Sequence, residues 1–293
     1  MIKILITGAD SFVGRNLIKY SRYRNIQEID IKGKPVEQID FSEYDVVVHL
    51  AAIVHQSKKI SETEYFRINR DLCLAVAKRA KEAGIKQFIF LSTVKVYGEY
   101  NPVKGTWNEH AICKPDDPYG RSKYEAEQGL RKLEDKNFTV TIIRPPLIYG
   151  SGVKANMLSI TKIVDRFSYL PFGGIKNKRS FTAIENLVAL IDRAIEMRAS
   201  GIYIATDENP LSTTELIQLI AKALNKKIYL IKLPNFIIYL GKRIYPNIFD
   251  RLYGSFEIDN SHTRKILNYK PVISSQEGIT RMVEAYKMSK DEE

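Results

Sequence analysis

The stretch PYGRSKYEAE (118–127) sets Tyr119 and Lys123 four residues apart. With Pro118 just ahead, this spacing predicts a helix carrying both side chains on one face, one turn apart. A phenol ordinarily titrates near 10, too high for a base at neutral pH. A lysine ammonium close by stabilises the phenolate, so Tyr119 could take a proton from a hydroxyl or return one to a ketone. LSTVKVYG (91–98) ends an apolar run with Ser92 and Thr93, and Thr93 could hydrogen-bond the reacting oxygen beside Tyr119. Read alone, a Tyr/Lys pair at this spacing often arises by chance, and the hydroxyls could be a strand cap.

The surrounding elements must position these groups. Five runs rich in Ile, Val and Phe precede residue 150: KILIT (3–7), IQEIDI (26–31), YDVVVHLAA (44–52), QFIFLST (87–93) and VTIIRP (140–145). They are too continuous for half-exposed strands, so both faces of their sheet should be covered. Helical stretches lie between them. In 67–84, Ile68, Leu72, Ala75, Val76 and Ala80 recur at helical spacing, and Gly84 stands where a C-terminal cap belongs. This alternation predicts an α/β fold with a doubly wound parallel sheet over 1–150. Ligands of such a sheet lie beyond the carboxyl ends of the strands, where Thr93 falls.

The first strand runs into TGADSFVG (7–14), then a helix. In such a turn, backbone N–H groups and the helix dipole can meet a dinucleotide's pyrophosphate. Gly8, Ser11, Phe12, Val13 and Gly14 are the candidate contacts, Gly8 for the tight turn and Gly14 for close helix–strand packing. Asp30 follows at about the 20-residue spacing of an acid that binds the adenosine ribose, and it would repel a 2′-phosphate, favouring NAD over NADP. Leu50, Ala51 and Ala52 end another strand with small residues, so backbone could approach the dinucleotide. A nicotinamide's positive charge would add to the effect of Lys123 on Tyr119. Each feature also has a plain reading: a turn, a capping Asp, alanine-mediated packing.

After residue 150 the rhythm changes. The stretch 149–159 is loop-like, and 181–200 reads as one amphipathic helix returning to the main sheet. GIYIAT then reads as a strand, STTELIQLIAKAL as a helix, and the tail as irregular pieces broken at Pro234, Pro246 and Pro271. Residues 151–293 are expected to form a smaller substrate domain. Within it, LPNFIIYLGKRIYPNIF (233–249) is apolar, aromatic and basic. A buried helix is the expectation, and a membrane surface is the other place for such a segment.

The 293 residues carry 44% hydrophobic and 27% charged side chains, an ordinary globular composition. The net charge of +11 suits phosphate-bearing partners, but the basic residues are scattered, and most should be solvated surface. No aromatic-interleaved basic stretch suggests base stacking, so no nucleic-acid partner is expected. No apolar run reaches the ~18 residues of a spanning helix, and MIKILITG is too short for a secretory signal. Cys73 and Cys113 make no disulfide or metal pattern, which suits a reducing cytoplasm. His49, in a strand, and His110 and His262, in loops, carry no chemistry; His55 could border a substrate. A dinucleotide-binding sensor or scaffold is the reading from a different class, and the complete Thr/Tyr/Lys set stands against it.

TGADSFVG, HLAA, STVKVYG, PYGRSK and RPPLIYG, in this order and spacing, resemble the extended short-chain dehydrogenase/reductases. More narrowly, the chain is similar to the NAD-dependent epimerase/dehydratase family of nucleotide-sugar enzymes. The resemblance implies a catalytic Thr93, Tyr119 and Lys123, a Rossmann domain with NAD as cofactor, and a homodimer. Ser11 stands at the middle glycine of the family's pattern. Asn69 matches an Asn that organises the lysine through water, Asp40 an Asp that touches the adenine amine, and Ser92 and Pro145 lie in segments that flank the cofactor. Asn156 and Arg179 match contacts to the substrate's diphosphate, Phe172 lies in the stretch along the uracil, and Arg251 is a second phosphate ligand by the same resemblance. In related 4,6-dehydratases an Asp-Glu pair follows the catalytic Thr; here Val94-Lys95 stands there, so dehydration is not expected. A UDP-sugar C4 epimerase and a 4-ketoreductase acting on UDP-4-keto-6-deoxy-N-acetylhexosamines both fit, and the tail resembles the reductase subgroup of surface-polysaccharide enzymes.

Overall fold

The Ile-, Val- and Phe-rich runs become strands, because β-branched and aromatic side chains suit a pleated surface buried on both sides. The computed structural model of the chain describes residues 1–54, 60–98 and 106–291. The strands are β1 (Ile4–Thr7), β2 (Ile26–Ile29), β3 (Val46–His49), β4 (Gln87–Leu91) and β5 (Thr139–Arg144). A sixth, β9 (Gly201–Ile204), joins from the second half, and the parallel sheet runs β2-β1-β3-β4-β5-β9. Helices α1 (Phe12–Tyr20) and α6 (Ile184–Glu196) press Leu17, Leu187 and Ile191 onto Ile4, Ile6 and Val48. On the other face, α3 (Cys73–Glu82) and α4 (Pro118–Arg131) press Val76, Ala80 and Leu130 onto Leu5, Val47 and Phe88. The α/β fold with a doubly wound sheet is the one expected.

Several elements depart from the expectation. β2 is half-exposed rather than covered, because it is the sheet's edge strand and carries Gln27 and Glu28. The helix expected over 67–84 begins earlier, as α2 (Glu62–Phe66), capped by the Ser61 hydroxyl, and passes through a widened turn at Arg67–Leu72 into α3. Phe181–Ala183, expected as helix, forms β8 beside β6 (Leu147–Tyr149), so α6 begins only at Ile184. Because β9 lies in the main sheet, the chain crosses back over the boundary expected at residue 150.

A second apolar core collects around α5 (Asn156–Arg166), α7 (Thr213–Ala223) and α11 (Ser275–Asp291), through Met157, Val164, Leu216, Ile220 and Met282. Its small pair β7 (Tyr169–Leu170) and β10 (Tyr229–Leu230) lies at one side. Asp207, just past β9, joins the two cores: its carboxylate accepts from Tyr149 Oη at 2.6 Å, Asn186 Nδ2 at 2.7 Å and Ala183 N at 2.8 Å. The tail is not irregular. It forms α8 (Asn235–Ile244), α9 (Pro246–Tyr253), α10 (Ser261–Leu267) and the 17-residue α11. α10, which contains His262, returns to the main sheet, where Ile204 N donates to Thr263 Oγ1 at 2.8 Å. α8, expected as a buried helix, has no buried residue.

Candidate active site

The helix carrying Tyr119 starts where local chemistry dictates. Asp117 is its N-cap, with Oδ1 accepting from Gly120 N at 2.6 Å, and Pro118 fills the first turn. The other carboxylate oxygen of Asp117 meets Lys95 Nζ at 2.5 Å. Lys95 belongs to a 3-10 turn, Val94–Tyr97, and Thr93 caps that turn by accepting from Lys95 N at 3.3 Å. Loop and helix touch at backbone distance: a Cβ on Gly120 would lie 2.9 Å from the Lys95 carbonyl oxygen. The Lys95–Asp117 pair therefore clamps the end of β4 to the start of α4. This brings Thr93 to Tyr119, and the two hydroxyls are hydrogen-bonded.

Burial governs the electrostatics of this cluster. Thr93 and Tyr119 are 8% exposed and Lys123 is 2% exposed. Loss of water pushes the Tyr119 phenol well above its usual range, and the Thr93 hydrogen bond acts in the opposite direction. The phenol is thus raised in the chain alone, by burial first and by the Asp117 carboxylate as well, where a lowering by Lys123 was expected. Burial likewise pushes the Lys123 ammonium down to about 8. Its Nζ donates to the Leu91 carbonyl at 2.8 Å and lies 4.4 Å from the Phe90 ring centroid. Nearby His49 is neutral, its pKa pushed to about 3 by burial and then by Lys123, with Nδ1 2.7 Å from Thr7 Oγ1.

Two candidate residues turn elsewhere. Asn69, fully buried in the widened turn, accepts from Ile53 N at 2.8 Å and donates to Ile53 O at 3.0 Å and Ser122 Oγ at 3.1 Å. It ties the segment after β3 to α4, whereas the resemblance implied a water link to the lysine. The Ser92 hydroxyl points away from Tyr119 and donates to Glu127, which pairs with Arg144 in a fully buried salt bridge. Arg144 also donates to Tyr97 Oη at 2.9 Å. Pro145 is buried, and its carbonyl accepts from Val94 N at 3.1 Å, fixing the Thr93 turn from the far side.

The cofactor candidates gather where the sheet's strand order reverses, between β1 and β3. Gly8 has φ +100°, and a Cβ there would lie 2.7 Å from Ala51 N, so only glycine lets the two strand ends meet. Ser11 N-caps α1, accepting from Gly14 N at 3.0 Å, while Phe12 and Val13 pack against the core. Leu50 N donates to Thr7 O at 2.9 Å, and Ala51 and Ala52 follow with their side chains half-buried. Gly8 N donates to Ile29 O at 3.0 Å, which sets the exposed Asp30 beside the turn. Asp40 is also exposed, and its carboxylate, held below the usual range by Ser42, lies between buried Ile39 and Phe41. This cradle of glycine, helix N-terminus and flanking carboxylate could hold a dinucleotide.

The phosphate candidates lie in the second half. Asn156 opens α5, exposed, after Ala155 at φ +56°. Phe172 is half-buried, and its carbonyl accepts from Thr214 Oγ1 at 2.6 Å. Arg179 pairs in strand fashion with Leu211 and Phe256, and its Nη1 donates to Gly254 O at 3.0 Å, just past α9. Arg251 is exposed on that same helix. His55 lies outside the described residues. Sequence reading missed the pairing of Lys95 with Asp117 and of Glu127 with Arg144, and also Glu28, whose Oε2 accepts from Asp10 N at 3.4 Å beside the glycine turn. The cap alone had a signal, an Asp directly before Pro-Tyr.

Comparison with known proteins gives the family and the fold. The model of the NAD dependent epimerase/dehydratase family matches residues 4–205. A UDP-glucose 4-epimerase of Vibrio cholerae is 35% identical over 97% of this chain and 95% of its own length. An N-acetyl-alpha-D-glucosaminyl-diphospho-ditrans,octacis-undecaprenol 4-epimerase of Escherichia coli O157:H7 is 28% identical over 81% of this chain and 77% of its own. The crystal structure of a UDP-glucuronic acid 4-epimerase from Bacillus cereus in complex with NAD shares the fold, with a TM-score of 0.74 at 20% identity, over 98% of this chain and 99% of that one. The chain belongs to the NAD-dependent epimerase/dehydratase family, enzymes of the extended short-chain dehydrogenase/reductase fold.

Proposed function

We propose that the protein is a 4-epimerase of a UDP-sugar, with Thr93, Tyr119 and Lys123 as its catalytic residues. The observation that carries this reading is the Thr93–Tyr119 hydrogen bond at the carboxyl end of β4, one helical turn from Lys123. NAD, when bound, supplies a hydride acceptor and donor for C4. Gly8, Ser11, Phe12, Val13 and Gly14 would hold its pyrophosphate, Asp30 its adenosine ribose, Asp40 its adenine, and Ala51 and Ala52 the close backbone approach. Tyr119 takes the proton from the C4 hydroxyl and returns it. Thr93 aligns the phenol, and Lys123 supplies the positive charge that offsets a phenolate.

Inversion at one carbon requires both of its faces to be offered in turn. The nucleotide diphosphate must therefore be held firmly and the sugar loosely. Asn156, Phe172, Arg179 and Arg251 serve the first need, the arginines through charged forks. Lys95, in the place of a dehydratase's acidic pair, is joined to Asp117, which supports hydride transfer without dehydration.

The sequence alone leaned toward 4-ketoreduction. The extent of the likeness to the Vibrio cholerae protein favours epimerisation instead. The named substrate of the Escherichia coli relative supports a second reading, a sugar diphosphate carried on a polyprenol, and the exposed α8 near the Arg179 segment favours it. Incubation with UDP-glucose and with UDP-N-acetylglucosamine, followed by proton NMR, tests the epimerase reading: C4 epimers form with no net change in NADH. Stoichiometric NADH loss on a UDP-4-keto-6-deoxy-N-acetylhexosamine, without epimer formation, would replace it with reduction.

A further inference from the structure

Most surface helices turn their apolar stripe inward. α8 does the reverse. Phe236, Tyr239 and Ile244 are each 65% exposed and Leu240 is 49% exposed, at i, i+3, i+8 and i+4 of one helical face. α9 extends this surface with Ile248 at 55%, and Tyr245 between the helices is 61% exposed. An exposed apolar patch of this kind marks an interaction surface.

The hairpin is a built object, not a frayed end. Gly241 of α8 lets Phe249 of α9 approach so closely that a Cβ would collide with its ring, and Phe249 stacks on Tyr253 at 5.5 Å. Its foot is bonded to the second core: Thr213 Oγ1 donates to Leu252 O at 2.5 Å, and Asn177 Nδ2 to Gly254 O at 2.9 Å. Arg179 donates to the same Gly254 carbonyl. The apolar stripe is thus rigidly joined to the segment proposed to bind diphosphate.

Charge selects the occupant. The hairpin, residues 235–253, carries Lys242, Arg243 and Arg251 against Asp250 alone among carboxylates, and Asp250 lies 3.6 Å from Lys242. Lys242 and Arg243 are exposed on the last turn of α8, beside the stripe. Apolar and aromatic side chains flanked by cations match the interface of an anionic bilayer, where rings sit at headgroup depth and cations meet lipid phosphates. No helix among the described residues is long and apolar enough to cross a membrane, so the element would lie on the surface.

We propose that the α8–α9 hairpin docks the protein on an anionic membrane surface and holds its substrate cleft there. The proposal stands independently of the C4 chemistry. The test is co-sedimentation of the full chain with phosphatidylethanolamine vesicles containing phosphatidylglycerol, with phosphatidylcholine vesicles as control, alongside turnover of soluble UDP-sugar. The wild type should pellet with the anionic vesicles at least tenfold more than with the neutral ones. Phe236→Ser/Leu240→Ser/Ile244→Ser and Lys242→Glu/Arg243→Glu should each reduce pelleting at least fivefold while turnover in solution is unchanged. A wild type that stays in the supernatant, or pelleting that survives both variants, overturns the proposal. So does a triple variant that only splits a lipid-free oligomer in sedimentation velocity, which would make the stripe a contact between copies. Vesicle binding without turnover would remove the epimerase reading and leave the docking intact; turnover without vesicle binding would do the opposite.

Discussion

The two ends of the proposed site are built in opposite ways. At the chemical end, Thr93, Tyr119 and Lys123 are almost wholly out of water, and a Lys95–Asp117 clamp fixes loop to helix. At the phosphate end, Asn156 and Arg251 are exposed, and Arg179 is fastened to a hairpin whose outer face is bare. Proton transfer needs a fixed geometry, which packing and the hydrogen bonds around Tyr119 supply. Diphosphate binding needs charged forks that can be reached from solvent. The difference implies that substitutions at the first end act on rate and stability together, and those at the second on affinity.

The largest expected effect is at Tyr119. Tyr119→Phe keeps the ring's packing but removes the proton carrier, so kcat should fall about 10²–10⁴-fold. NAD affinity, read by fluorescence titration, should stay within a few-fold of wild type. Retention of more than a few per cent of activity would remove Tyr119 from its role.

Lys123 sharpens the same contrast through stability. Its folded pKa of about 8 lies below the ordinary lysine value of 10.5, so the unfolded chain binds the proton more tightly. The burial penalty is therefore fully present below pH 8, and stability rises as pH climbs from there toward 10.5. At 1.36 kcal/mol per unit, the penalty is on the order of 3 kcal/mol. Lys123→Met should lose activity yet gain roughly 1–3 kcal/mol at pH 7 in urea unfolding, the lost Leu91 hydrogen bond offsetting the rest. Its stability should no longer rise between pH 8 and 10.5. A destabilised variant would mean that the ammonium is better solvated than its burial implies.

Arg251 gives the smallest effect and the other side of the comparison. Arg251→Ala should raise KM for UDP-sugar about tenfold, the worth of one charged hydrogen bond, with kcat nearly unchanged. A loss of kcat at constant KM would place Arg251 with the chemistry instead.

Much of the buried end was legible in sequence because its constraints are local. A helix opened by Asp-Pro fixes the Tyr119–Lys123 spacing, and Gly8 is imposed by a turn that no Cβ fits. The β2 edge was misread because IQEIDI looks apolar in composition, and only the strand order shows that, among the described residues, no strand lies beyond it. Phe181–Ala183 was misread because its partner, β6, lies more than thirty residues away, and helical periodicity carries no trace of such a pairing. Lys95–Asp117 and Glu127–Arg144 were invisible for the same reason. The exposure of α8 was hidden because an apolar helix facing solvent and one facing a core share one pattern.

The central claim, proton and hydride exchange at a single carbon, is tested most directly by isotope tracing. UDP-glucose carrying deuterium at C4 is incubated with the holoenzyme in ordinary water and followed by NMR to equilibrium. The prediction is a C4-epimeric product that retains deuterium at C4, with no net NADH formed. Loss of the label to solvent, or product formed only with stoichiometric NADH consumption, would contradict it.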